Sequence, residues 1–281
     1  MSAVLSFGER TLELDQPRIM GILNVTPDSF SDGGRFFDRE AAAAHAQELV
    51  AAGADILDVG GESTRPGAVE VPLQEELDRV IPVIEAVSEL GVPISVDTRK
   101  AAVMRAAAAA GAAMINDVSA LEHDPEAEAT VAELGMPVCL MHMQGTPETM
   151  QDNPRYRDVV AEVRTYLAER ARQCAAAGID PANLLLDPGI GFGKTVAHNL
   201  ALLHHLENLA DLNYPLVVGT SRKSLAGKLL NREVEQRVFG DAAVIGWLVS
   251  HGADVVRVHD VAAARDVVRM TQALATARIP Q

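Results

Sequence analysis

The sequence predicts an α/β fold, a closed (β/α)8 barrel preceded by a short N-terminal β-hairpin. Three observations point there. Eight short runs rich in Ile, Val and Leu recur along the chain, longer segments with helical patterning separate them, and each run ends in polar or ionisable residues. The 281 residues suit one such barrel, which typically takes about 250 residues as a single unit. Residues 1–281 are read as a single domain, with 1–17 as a hairpin plug.

The segment Phe7–Pro17 alternates apolar and polar residues, with Gly8 placed for a turn, and predicts the hairpin. Strands follow near Ile19–Leu23, Ile56–Val59, Pro93–Val96, Met114–Ile115, Val138–Met141, Leu184–Leu186, Leu216–Val218 and Val255–Val256. Between them, Arg39–Ala52, Leu73–Leu90, Lys100–Ala110, Arg155–Ala177 and Arg265–Ala277 intersperse Ala and Leu with charged residues and predict helices. Parallel strands need a crossover connection, so this alternation implies parallel pairing. Near-continuous apolar strands fit a sheet covered by helices on one face and packed inside on the other. A doubly wound open sheet shares the alternation but rarely needs eight successive parallel strands. Gly53, Gly91, Gly111, Gly135, Gly178 and Gly252 each precede a strand, where glycine relieves the left-handed turn that ends a helix.

A hydrophobic fraction of 48% with 22% charged residues describes a soluble globular chain with a large core. No apolar stretch approaches the roughly 20 residues that cross a bilayer, and the N-terminus has no basic region followed by an apolar core. No membrane partner is expected, and the expected compartment is cytoplasmic. The net charge of −15 argues against nucleic acid, whose backbone is held by Lys and Arg. An anionic substrate would need locally concentrated cations. Cys139 and Cys174 lack partners at metal-ligand spacing and read as reduced packing residues.

The strand ends carry Asn24, then Glu62 and Thr64 beyond Gly60 and Gly61, then Asp97, Asn116, His142, Asp187, Ser221 with Lys223, and Arg257 with His259. In α/β barrels the carboxyl ends of the strands form the active-site face. Any one of these residues could cap a helix instead, but eight strand ends in succession predict a shared site. The stretch Asp187–Thr195 fails the P-loop pattern because Pro188 stands where the first glycine should be. Its glycines are expected to let backbone and Phe192 approach a flat ligand. Ser221–Ser224 and Arg257–Asp260 form a cationic cluster where barrels often bind phosphate.

Asp97, Asn116 and Asp187 offer acceptors suited to a guanidine-like edge, with Lys223 set against a ring carbonyl. Arg257 could stack its planar guanidinium on such a ring. Asn24 is a hard oxygen ligand suited to Mg²⁺ bound through substrate phosphates. Ser221 does not lie in a nucleophile elbow, so acyl-transfer hydrolysis is not expected. His142 closes a strand without partner ligands and receives no role.

The motifs at Met20–Gly34, Asp58–Gly67, Ile94–Arg99, Ile115–Ser119, Leu186–Lys194, Ser221–Ser224 and Arg257–Val261 together resemble the dihydropteroate synthase family. The resemblance covers nearly the whole chain. It implies a (β/α)8 TIM barrel that condenses 6-hydroxymethyl-7,8-dihydropterin diphosphate with 4-aminobenzoate, releasing diphosphate, and that sulfonamides inhibit competitively. It implies Mg²⁺ as cofactor, small-molecule substrates and a homodimer. Carried over, it assigns pterin diphosphate to Thr64, Asp97, Asn116, Asp187, Lys223, Arg257, Val258 and His259. It assigns 4-aminobenzoate to Phe30, Thr64, Arg65, Pro66, Phe192 and Ser224, the metal to Asn24, and catalysis to Asp97, Lys223, Arg257 and His259. A corrinoid-dependent pterin methyltransferase shares the barrel and the pterin-binding acids, but the first-loop and Ser221–Ser224 motifs oppose it. A non-catalytic pterin-binding paralogue is the rival of another class.

Overall fold

A computed structural model describes residues 3–8, 10–26, 39–233 and 236–277, except for the side chain of Ser224. The hairpin β1 (Val4–Phe7) and β2 (Arg10–Glu13) pairs antiparallel. Strands and helices then alternate: β3 (Arg18–Asn24), α1 (Arg39–Ala51), β4 (Ile56–Gly60), α2 (Leu73–Val87), β5 (Ile94–Asp97), α3 (Ala101–Ala110), β6 (Met114–Asp117) and α4 (Ala127–Leu134). The second half continues with β7 (Val138–Met141), α5 (Val159–Ala176), β8 (Leu184–Asp187), α6 (Val196–His204), α7 (Glu207–Ala210), β9 (Val217–Gly219), α8 (Ser224–Leu230), α9 (Val238–Ser250), β10 (Val255–Val258) and α10 (Val261–Thr276).

The eight expected strands are all present. β3 to β10 form one parallel sheet in the order β8-β7-β6-β5-β4-β3-β10-β9, and a parallel bridge between Leu186 and Leu216 joins its two edges. That bridge closes the ring, which an open doubly wound sheet would not do. Helix starts shift where an acid caps them. Asp158 accepts from the amides of Val160 and Ala161, so α5 begins after it rather than at Arg155. Asp260 accepts from Ala263 and starts α10 ahead of the expected Arg265.

Side chains alternate across each strand, which separates two cores. Ile19, Leu23, Leu57, Val59, Ile94, Val96, Ile115, Leu140, Leu186 and Val256 face outward and pack under the helices. Met20, Ile56, Met114, Cys139, Leu185, Val217 and Val255 face the barrel axis and form one cluster with Leu5, Phe7 and Leu14. The hairpin therefore lies against the strand starts and fills the base. Both cysteines are buried and free. No described helix is long and apolar enough to cross a membrane.

Candidate active site

One step further along the same inward-facing rows, the barrel interior changes from apolar to ionic. Past Ile56 comes Asp58, past Ser95 Asp97, past Met114 Asn116, past Leu185 Asp187, and past Val255 Arg257. Asp97 and Asn116 are register partners on neighbouring strands. Asp58 is fully buried, and Asp97, Asn116 and Asp187 are buried around it. A buried charge persists only when paired, and Arg257 supplies the pairing. Its Nε donates to Oδ2 of Asp58 at 2.6 Å and its Nη2 to Oδ2 of Asp97 at 2.8 Å. Asn116 Nδ2 also donates to Asp58 Oδ2, at 3.1 Å.

Burial raises the Asp97 carboxyl to about 7, against the pull of Arg257 and with Asp58 adding to the rise. Burial also raises Asp187, with Lys223 opposing. Burial works against the charge of Arg257, but Asp58 and Asp97 outweigh it and hold the guanidinium above its ordinary pKa. Lys223 is lowered to about 8 by burial, despite Asp187 nearby. Sequence reasoning named Asp58 only as part of a motif. The available signal was a lone acid inside an apolar run, at the position whose alternation places it inside the barrel.

The loop after β8 packs tightly, with a different use for its glycines than expected. Gly189 has φ +65° and a Cβ there would lie 2.0 Å from the carbonyl oxygen of His142; at Gly193, φ +61°, it would lie 2.5 Å from that of Gln144. At both positions glycine admits protein backbone rather than a ligand. Beneath the loop, buried Lys194 Nζ lies 2.9 Å from Nδ1 of His142 and donates to the carbonyls of His142, Gly189 and Phe192 at 3.2, 3.0 and 2.9 Å. Burial lowers Lys194 to about 7, and burial followed by the Lys194 charge lowers His142 to about 3. His142 is thus a buried partner of Lys194. The loop in turn places Lys223, whose Nζ donates to the Ile190 carbonyl at 2.6 Å and sits 4.7 Å above the centre of the half-buried Phe192 ring.

His259 closes the cationic side. Its amide and Nδ1 lie 3.3 and 3.2 Å from Ser221 Oγ. Burial first, then Arg222, Arg257, Arg65 and Lys223, lower it to about 3, so the imidazole is neutral amid guanidinium groups. Arg65, on the loop after β4, thus lies near enough to the end of β10 to act on the charge of His259. Within that loop Thr64 is half-buried, and Arg65 and Pro66 are exposed. The side chain of Val258 is buried in the helix-facing core, which leaves its backbone to reach the site. Asn24 is half-buried at the end of β3, in register with Gly60. Ser224 opens α8. Phe30 and the first loop with Pro27, Gly33 and Gly34 lie outside the described residues, as does the Ser224 side chain.

A divalent cation tests the donor set. No group of three or more His, Cys, Asp and Glu could enclose a metal among the described residues. Asn24 offers a single hard oxygen, which fits an ion that keeps waters and is held largely by diphosphate oxygens.

The chain and its fold are similar to known proteins. Residues 20–259 match the family model described as pterin binding enzyme. Dihydropteroate synthase of Haemophilus influenzae is 50% identical over 95% of this chain and 98% of its own length. A structure of Xanthomonas albilineans dihydropteroate synthase with 4-aminobenzoic acid is 54% identical and superposes with a TM-score of 0.92, covering 98% of this chain and 99% of that one. Another from the same organism, in complex with 7,8-dihydropteroate, is 51% identical with a TM-score of 0.88 over 97% and 98% of the two chains. This chain belongs to the pterin-binding enzyme family, among the dihydropteroate synthases.

Proposed function

We propose that residues 1–281 act as one pterin-binding barrel that joins a dihydropterin methyl diphosphate to 4-aminobenzoate, giving 7,8-dihydropteroate and diphosphate. The observation that carries the reading is Arg257 held in its own plane by Asp58 and Asp97 at the barrel mouth. All guanidinium hydrogens lie in that plane, so in-plane partners leave the faces for stacking on a flat ring. Asp187 and Asn116 take the amino-pyrimidine edge and Lys223 the ring carbonyl. Their burial makes each of these contacts stronger than it would be in water.

The carbon–oxygen bond to diphosphate breaks first, and the leaving group takes the electron pair. Ionised Asp97 stabilises the cation spread over the pterin, and Arg257 with neutral His259 receives the diphosphate. A Mg²⁺ ion bound at Asn24 and the diphosphate oxygens would neutralise charge developing on the leaving group. The lone pair of the 4-aminobenzoate nitrogen then closes the new carbon–nitrogen bond, and the nitrogen releases its proton to water. Phe30, Thr64, Arg65, Pro66, Phe192 and Ser224 hold that amine in line, so orientation replaces a strong general base. The active species is a homodimer. Leu229, Leu230, Val238 and Phe239 on α8 and α9, with Met270 and Leu274 on α10, expose large apolar side chains on helices that pack together, which supports burial against a second copy.

The test is diphosphate release from the pterin substrate with and without 4-aminobenzoate and Mg²⁺. Release that requires both is expected. Release indifferent to 4-aminobenzoate overturns the reaction.

A further inference from the structure

The loop after β4, which carries Thr64, Arg65 and Pro66, is fastened at both ends by side chains that follow Asp97 in sequence. Lys100 uses all three of its ammonium hydrogens: it donates to Glu62 Oε2 at 2.6 Å, to Glu76 Oε2 at 2.6 Å and to the Val71 carbonyl at 2.8 Å. Glu62 lies at the start of the loop and Val71 at its end. Arg99 pairs with the other oxygen of Glu62, and Thr98 Oγ1 donates to Glu76 Oε1 at 2.5 Å. Arg79 Nη1 adds a bond to the carbonyl of Gly61 at 2.7 Å. The side chain of Glu76 is fully buried and that of Glu62 is 6% exposed. Burial works against the Lys100 charge, yet its bonds to Glu62 and Glu76 prevail and raise its pKa.

A buried ion pair is a poor device for stability alone, since apolar residues of similar volume often serve as well. What this one provides is geometry, because a short segment from Asp97 to Lys100 sets both the pterin end of β5 and the two ends of the neighbouring loop. We propose that Lys100, with Glu62 and Glu76, is a positioning clamp that holds the loop from Gly61 to Val71 and thereby sets the affinity for the amine substrate. The inference rests on the assignment of Thr64, Arg65 and Pro66 to 4-aminobenzoate. Neither Lys100 nor Glu76 needs to touch a substrate for it to hold.

Steady-state kinetics with each substrate varied in turn tests the clamp in the intact enzyme. Glu62→Gln and Lys100→Met should raise KM for 4-aminobenzoate about fivefold or more, with a clearly smaller rise for the pterin diphosphate, which is assigned only Thr64 of this loop. Lys100→Arg, which keeps a buried cation with several donors, should recover most of the loss. If Lys100→Met does not fold, Glu62→Gln carries the test, because it keeps shape and removes one charge. Unchanged amine KM in folded Glu62→Gln, or equal rises in both KM values, overturns the clamp. Pro66→Ala, assigned to the amine alone, separates the two claims: if it too leaves the amine KM unchanged, the amine-site assignment fails as well.

Discussion

Arg257 Nε donates to Asp58 Oδ2 at 2.6 Å, joining positions 199 residues apart. The pair fixes the plane of the guanidinium, so under the proposed stacking its loss should act on the pterin substrate. Asp58→Asn keeps the shape and removes the charge; it, Arg257→Ala and Lys223→Ala should each lower kcat/KM for the pterin diphosphate tenfold or more, about 1.4 kcal/mol or greater. Kinetics near wild type for Arg257→Ala or Lys223→Ala would sink the site.

The same cluster sets a pH profile. Asp97 must be ionised to stabilise a cation, so activity falls as pH drops through about 7. Lys223 must be protonated to donate to a ring carbonyl, so activity falls as pH rises through about 8. A bell-shaped kcat/KM is expected, with limbs that belong to the coupled cluster rather than to single residues. A flat profile between about pH 6 and about pH 9 would contradict both protonation roles.

Lys194→Met removes the donor shared by the carbonyls of His142, Gly189 and Phe192, of which Gly189 keeps the Phe192 amide as a second donor. An orphaned buried acceptor costs roughly 1–3 kcal/mol, and the His142 carbonyl is the one left so, which makes a stability loss of about 1–3 kcal/mol by urea unfolding the expected result. The His142 imidazole, now about 3, should rise without reaching its ordinary value, because burial is the larger cause and remains. An unmoved His142 titration, followed by NMR, would show that the two groups are not coupled.

Phe30→Ala should chiefly impair use of the amine. The expected result is a raised KM for 4-aminobenzoate with the pterin diphosphate KM little changed, and equal amine affinity in the variant removes Phe30 from that site.

The barrel was legible because its signals are local. Apolar runs such as Leu184–Leu186 and helix-ending glycines such as Gly111 and Gly135 announce themselves within a few residues, and both glycines cap their helices in the left-handed region. The strand-end acids were legible for the same reason. What stayed hidden depends on partners distant in sequence. Lys194 meets His142 across 52 positions and Lys100 meets Glu62 across 38, and no period or spacing encodes either pairing. The charge of His259 was hidden too: the sequence counts it among basic residues, but burial amid guanidinium groups leaves it neutral.

Leu5, Phe7 and Leu14 give the barrel a floor, and a floored vessel has one doorway. Under the proposed assignment, whatever sits on the buried acids has to arrive before anything that rests on the partly exposed loop after β4, and the joined product leaves as one molecule. Depth would then become a timetable, with the pterin boarding first and the aromatic amine second. An amine mimic lodged in that doorway would then block traffic in each direction, trapping the deeper molecule as well as excluding its partner.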